Sequence, residues 1–159
     1  KVEEMKAAIL KPLDIFEENK GKTTDPDTNP FYIRPKQFMF RLQKIMDEYA
    51  AGVTANFLTN KPMLDRALEL LVWLSEDSAN LGAEDLHELM RCHENIQRMW
   101  QAEVHVRTIL FREETRWPGY YRRADFPEMK EDWKVFANAK WNPASGEWEM
   151  SKREVHDIG

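Results

Sequence analysis

Apolar residues recur at three- and four-residue intervals through most of the first 113 positions, and this spacing predicts a mainly α-helical chain. Val2, Met5, Ile9, Leu13 and Phe16 form the first stripe, for a helix over about 2–19. Pro12 lies inside it, has no N–H to give, and is expected to kink or divide that helix. A loop rich in Lys, Thr, Asp and Pro follows from Gly21 to Pro30. The second helix, about 35–52, opens at Pro35 and carries Phe38, Leu42, Ile45, Tyr49 and Val53, with Gly52 near its end. The third, about 61–80, follows Asn60 as N-cap with Pro62 in its first turn, and its stripe is Leu64, Leu68, Leu71 and Leu74. The fourth, about 83–113, would be ~45 Å long at ~1.5 Å per residue. Leu86, Leu89, Met90, Ile96, Trp100, Val104 and Phe111 mark its expected buried side. Glu84 and Asp85 near its start and Arg107 and Arg112 near its end complement the helix dipole.

After Pro118 the helical period stops. Residues 135–141 then read as a strand, Asn142 to Gly146 as a turn, and Glu147 to Met150 as the return strand of a hairpin over about 134–152. The expected fold is mainly α, in one domain over 1–159: a three- or four-helix bundle, then an irregular segment and a small β-hairpin.

Composition agrees with a folded domain: 159 residues, 42% apolar and 32% charged, is too apolar for a disordered chain. The net charge of −5 argues against nucleic acid as a general partner. Cys92 is the only cysteine, so no internal disulfide and no self-contained iron–sulfur cluster can form. No apolar run approaches the ~20 residues of a membrane span. The chain opens on the charged stretch Lys1-Val2-Glu3-Glu4, without the pattern of a signal peptide. It opens with Lys rather than Met, which together with the sparse chemistry described next suggests a fragment of something longer.

Catalytic chemistry is sparse. The glycines at 21, 52, 82, 119, 146 and 159 are too scattered for a dinucleotide loop or a phosphate loop. His87, His93 and His105 share the fourth helix at separations of six and twelve, which puts them on different faces; metal-binding helical pairs need three or four. His93 beside Cys92 diverges from it on a helix, so the pair is no nucleophile and base. Glu113-Glu114 reads as a solvated helix end rather than as paired acids. No catalytic, cofactor-binding or metal-binding residue is assigned.

The informative stretch is Phe111 to Pro127. In it Arg112, Arg116, Arg122 and Arg123 alternate with Trp117, Tyr120 and Tyr121. Guanidinium groups stack on rings and pair with carboxylates or phosphates. Three readings fit: a structural knot pinning the loop to a parent protein, a protein–protein contact, and an anion or nucleic-acid site, which the overall acidity opposes. The candidate docking residues are Arg112, Arg116, Trp117, Tyr120, Tyr121 and Arg123. Pro118 and Gly119 are expected to turn the chain there, projecting these side chains outward and leaving Arg116 short of a partner.

Glu114-Thr115-Arg116-Trp117-Pro118-Gly119-Tyr120-Tyr121 with Arg123-Ala124-Asp125 resembles a signature of the alpha subunits of dissimilatory adenylylsulfate reductases. The segments Leu42 to Tyr49, Asp85 to Arg91 and Ala102 to Arg107 look like the same family, as do Trp133 and Gly146-Glu147-Trp148. The resemblance spans roughly 31–155, and Arg122 departs from it where the family carries a third Tyr. Arg116 and Asp125-Phe126-Pro127 are also similar to a turn in fumarate reductase and succinate dehydrogenase flavoproteins. The resemblance implies a cytoplasmic parent with FAD-binding and capping domains, absent here, and a beta subunit with two iron–sulfur clusters. It implies reduction of adenylylsulfate to sulfite and AMP, or the reverse, with electrons passing through FAD. This chain would then be the helical domain, inactive alone and without a cofactor of its own, in a structural and docking role. The alternative is a free-standing helical protein-interaction domain.

Overall fold

A computed structural model describes residues 1–22 and 32–156, so most of the expected Gly21–Pro30 loop lies outside the described residues. The element order is α1 (Val2–Asn19), α2 (Pro35–Tyr49), β1 (Leu58–Thr59), α3 (Lys61–Asp77), α4 (Leu86–Phe111), β2 (Arg122–Arg123), β3 (Val135–Asn142) and β4 (Glu147–Glu154), with 3-10 turns at Ser78–Asn80 and Glu131–Trp133. This is the expected mainly α class with one small hairpin. The residues cluster into two compact units, one of 1–43 and 71–100 and the other of 44–70 and 101–159.

In the first unit the core is Phe38, Leu42, Leu71, Leu74, Leu81, Leu89, Cys92 and Met99. Helix α1 is continuous through Pro12, so the proline does not divide it. Carbonyls beside the proline find donors from elsewhere: the His93 ring lies 2.9 Å from Ile9 O, and Ala83 N donates to Pro12 O at 2.8 Å. Of the α1 residues only Pro12 is buried, so Val2, Met5 and Ile9 do not form the core stripe that their spacing suggests. Gly82 is required: a Cβ there would stand 2.8 Å from the Tyr32 ring.

Helix α4 starts at Leu86, three residues later than its apolar pattern suggests. Asp85 is the reason. Its Oδ1 accepts the Glu88 amide at 2.8 Å, while the Glu88 carboxylate accepts the Glu84 amide at 2.9 Å, a variant of the capping box. The expected buried side of α4 is also rotated. Leu86 and Met90 are exposed and Trp100 is 52% exposed. The buried positions of α4 in this unit are Leu89, Cys92, Asn95 and Met99. The expected stripe was drawn through the largest side chains. The real one runs through smaller and polar residues, and Trp100 sits ~100° of helical rotation from Met99.

In the second unit the core is Ile45, Ala50, Leu64, Ala67, Ala102, Val106, Ile109 and Trp133. The segment of α4 in this unit buries Ala102, Val106 and Ile109, where the pattern expected Val104 and Phe111 to lead. Helix α2 stops at Tyr49, short of Gly52, and Val53 is exposed beyond it. The turn after α2 is tight: a Cβ on Gly52 would meet the Asp47 backbone at 2.3 Å. Asn60 is the N-cap that the sequence indicates, its Oδ1 accepting the Met63 amide at 3.0 Å. Strands β3 and β4 pair antiparallel from Val135↔Glu154 to Asn142↔Glu147, so the return strand runs four residues past Met150. Gly146 sits at φ 69° in the turn, and its amide donates to Asn142 O at 2.9 Å. Trp141 and Trp148 face each other across the hairpin with ring centroids 5.4 Å apart; Trp141 is exposed and Trp148 half-buried. The pairing of β1 with β2, parallel and only two residues long, has no sequence signal of its own.

Candidate functional site: an arginine–carboxylate knot in the second unit

Beyond Phe111 the chain runs extended, and extended backbone puts residues i and i+2 on one side. Arg112, Glu114 and Arg116 therefore point the same way, inward. The Glu114 side chain is 0% exposed, which corrects its reading as a solvated helix end; Glu113 alone stays outside. Its Oε1 accepts from Arg112 Nη1 and, at 2.8 Å, from Arg116 Nε. Its Oε2 accepts from Arg116 Nη2 at 3.0 Å and from the Lys130 amide at 2.9 Å. Burial alone would push the Glu114 carboxyl up, but the hydrogen bonds from Arg116, the Lys130 amide and Arg112 outweigh it and hold it below the usual carboxylate range.

Both arginines also donate to backbone carbonyls. Arg112 donates to Trp133 O at 2.9 Å and to Val135 O at 2.7 Å, fixing the start of β3. Arg116 donates to Lys130 O at 2.8 Å. Arg116 thus has a partner, and none of the three candidate guanidiniums projects as a docking group.

Arg123 is 1% exposed. Its Nη1 donates to the carbonyls of Ile109, Leu110 and Arg112, where α4 has run out of helical donors. Its Nε and Nη2 pair with Asp125 at 2.8 and 2.7 Å. Asp125 Oδ2 in turn accepts the Lys61 amide, the first of α3, at 2.9 Å. A guanidinium therefore sits at the negative end of α4 and a carboxylate at the positive end of α3, each where the helix dipole favours it. The Arg123 hydrogen bonds hold the Asp125 carboxyl below its ordinary value, and the Lys61 amide adds to this against burial. The β1–β2 pairing registers the join: Arg122 N donates to Phe57 O at 2.7 Å and Ala124 N to Thr59 O at 2.8 Å. Thr115 Oγ1 accepts the Arg123 amide at 2.9 Å, and buried Thr59 donates to Tyr49 O, the last carbonyl of α2, at 2.7 Å.

The rings behave differently. Trp117 is 70% and Tyr120 76% exposed, held on a turn closed by Tyr120 N donating to Trp117 O at 2.9 Å. Gly119 has no positive φ there and open space around it, so the turn does not depend on it. Tyr121 is half-buried, and desolvation pushes its phenol up. With Trp133, Phe136 and Val155 these rings line a cleft of about 500 Å³.

Glu114, Thr115, Thr59 and Asp125 carry this site, and residue-type reasoning passed over all four. The signal available was spacing: Arg112-x-Glu114-x-Arg116 and Arg123-x-Asp125 place opposite charges on one side of an extended chain. Among the described residues no three or more His, Cys, Asp or Glu side chains converge as metal ligands, and no helix is long and apolar enough to cross a membrane.

No family model matches the chain. The adenylylsulfate reductase alpha subunit of Megalodesulfovibrio gigas is 46% identical over 157 residues, which are 98% of this chain and 24% of that protein. The solved adenylylsulfate reductase from Archaeoglobus fulgidus is 51% identical, with a TM-score of 0.92 over 99% of this chain and 25% of that one. The Mycobacterium smegmatis Sdh1 complex, at 20% identity and a TM-score of 0.65 over 96% of this chain and 24% of that one, shares the fold alone. The chain spans about a quarter of the length of the relatives it matches. With the Glu114-to-Asp125 knot carried on a fold that superimposes this closely, the chain is homologous to a C-terminal region of the adenylylsulfate reductase alpha subunit.

Proposed function

We propose that this chain is the helical portion of an adenylylsulfate reductase alpha subunit, and that its role there is to dock. The parent enzyme would interconvert adenylylsulfate with sulfite and AMP through FAD, fed by a beta subunit carrying iron–sulfur clusters, in the cytoplasm. The observation that carries the docking role is the contrast within the knot. Three guanidiniums are spent internally, while Trp117 and Tyr120 are held out on the turn they brace. Large exposed rings on a rigid base are the usual make-up of an interface hot spot.

The described glycines form no pyrophosphate cradle. Gly52 and Gly82 serve close packing, Gly146 a hairpin turn, and none opens a helix as a pyrophosphate cradle would.

The test is made in the full-length subunit, co-expressed with its partner. Trp117→Ala and Tyr120→Ala are each expected to weaken assembly or flavin retention by ~2 kcal/mol or more. The readouts are co-purification of the subunits and bound flavin per alpha subunit. Variants that assemble normally, keep flavin and lose only turnover would make the turn a substrate-site element and end the docking reading.

A further inference from the structure

A second cleft, in the first unit, has a different chemistry. It measures about 320 Å³ and runs along α4 past His87, Arg91, Asn95 and Arg98, with Lys36 and Met39 of α2 on its other wall. The protein carries a net charge of −5, yet this cleft is cationic. Lys36 and Arg91 form no ion pair among the described residues. Lys36 Nζ instead lies 5.6 Å over the Phe40 ring, and Arg91 Nε points to His87 Nε2 at 3.4 Å. Arg98 meets Glu94 at 3.6 Å and donates Nη1 weakly to Met39 Sδ at 4.0 Å. The one carboxylate lining the cleft, Glu88, is committed to Arg34 at 2.8 Å and to the Glu84 amide. Asn95, 2% exposed, donates its amide to Pro35 O at 2.7 Å, and its Oδ1, closed off from solvent, has no donor among the described residues.

From these features we infer that the cleft is a docking groove for an extended acidic segment of a partner protein. Its arginines would meet two carboxylates of that segment. Charge sets the sign of the ligand, and spacing sets its shape. Arg91 and Arg98 are seven residues apart on α4, ~10 Å along the axis. Each guanidinium reaches back one turn, toward His87 and Glu94 respectively, so the spacing persists at their heads. A phosphate or sulfate ion is too compact to meet both. A polyproline-type strand repeats every three residues at ~3.1 Å each, so acidic residues at i and i+3 lie ~9 Å apart on one side and match the arginines.

The full chain is titrated with acetyl-Gly-Glu-Pro-Ala-Glu-Gly-amide, with the same peptide carrying Gln for both Glu, with inorganic phosphate and with sulfate. Nitrogen–proton spectra follow the Asn95 side-chain amide and the His87 ring. Saturable binding of the Glu peptide is expected, with both signals shifting and with affinity falling as salt rises. Arg91→Gln and Arg98→Gln, at exposed positions that leave the fold intact, should each weaken it at least tenfold. Arg41→Gln, outside the cleft, should leave it unchanged. The proposal is overturned if the Glu peptide shows no saturable binding up to 2 mM, if the Gln peptide binds equally well, or if Arg91→Gln and Arg98→Gln bind as the parent does. It is equally overturned if phosphate or sulfate displaces the peptide at lower concentration than the peptide itself requires, which would make this a small-anion site. None of these outcomes bears on Trp117 or Tyr120.

Discussion

Removing the Glu114 carboxylate is the sharpest perturbation that the knot allows. Glu114→Ala takes away an acceptor of four hydrogen bonds at a fully buried position and leaves Arg112 and Arg116 facing each other. Breaking a buried pair by deleting one partner costs ~3–5 kcal/mol, because the remaining charge stays desolvated. Here Arg112 and Arg116 keep 14% and 20% of their side-chain surface in solvent, so water relieves part of the penalty and the lower end, about 3 kcal/mol, is expected. For a chain of this length that lowers the melting temperature by roughly 6–12 °C. Circular dichroism at 222 nm and tryptophan emission during thermal and urea unfolding would measure it. A companion variant checks the cause. Replacing Arg112, Glu114 and Arg116 together by Met, Leu and Met removes every charge of the cluster, so it should recover part of the loss. Recovery should stay incomplete, because Arg112 also serves the carbonyls of Trp133 and Val135. A Glu114→Ala protein that melts within 2 °C of the parent would refute the reasoning, and so would a triple variant less stable than the single one.

Three further outcomes are expected. Glu114 and Asp125 both titrate below their unfolded values, so their stabilisation is complete above the ordinary carboxylate range of ~4–4.5 and is lost as pH falls through their lower folded values. Urea midpoints measured from pH 7 to pH 3 should hold level and then drop, with a shallower drop in Asp125→Asn; a midpoint that rises on acidification would contradict this. Cys92, fully buried and with its thiol pushed up to about 12 by desolvation, should resist iodoacetamide at pH 8 until denaturant is added, and rapid labelling of the native protein would contradict its placement. Trp100→Ala should cost under ~1 kcal/mol and Trp133→Ala ~3–5 kcal/mol, and equal losses in urea unfolding would contradict the exposure of the first ring and the burial of the second.

What could be read from sequence depended on how local the cause was. Asn60 as an N-cap and the hairpin turn at Gly146 are set by neighbours within a few residues, and both stand as read. The phase of α4 did not follow, because its buried line passes through Cys92, Asn95 and Ala102, which hydrophobicity alone does not flag. Trp100, the largest apolar residue there, drew the stripe to the wrong side. The stretch from Arg112 to Asp125 stood out by composition, yet its direction was invisible. Whether a guanidinium faces in or out is decided by acceptors 14 to 23 residues away, such as Lys130 O and Val135 O. Arg123 had no visible reason to be buried until the end of α4 was placed beside it.

The hydrogen bond from Lys61 N to Asp125 joins residues 64 positions apart, and so imposes an order on synthesis. The start of α3 leaves the ribosome with its first amide unclaimed. At ~5–20 residues per second, the carboxylate that completes it follows roughly 3–13 s later. During that interval residues 44–70 lack the part of their own unit that begins at residue 101. Leu64 and Ala67, buried in the finished unit, wait for that part for seconds rather than milliseconds. That window is one in which a holding chaperone can act, and in which a slowed or truncated message leaves an apolar helix without its cover.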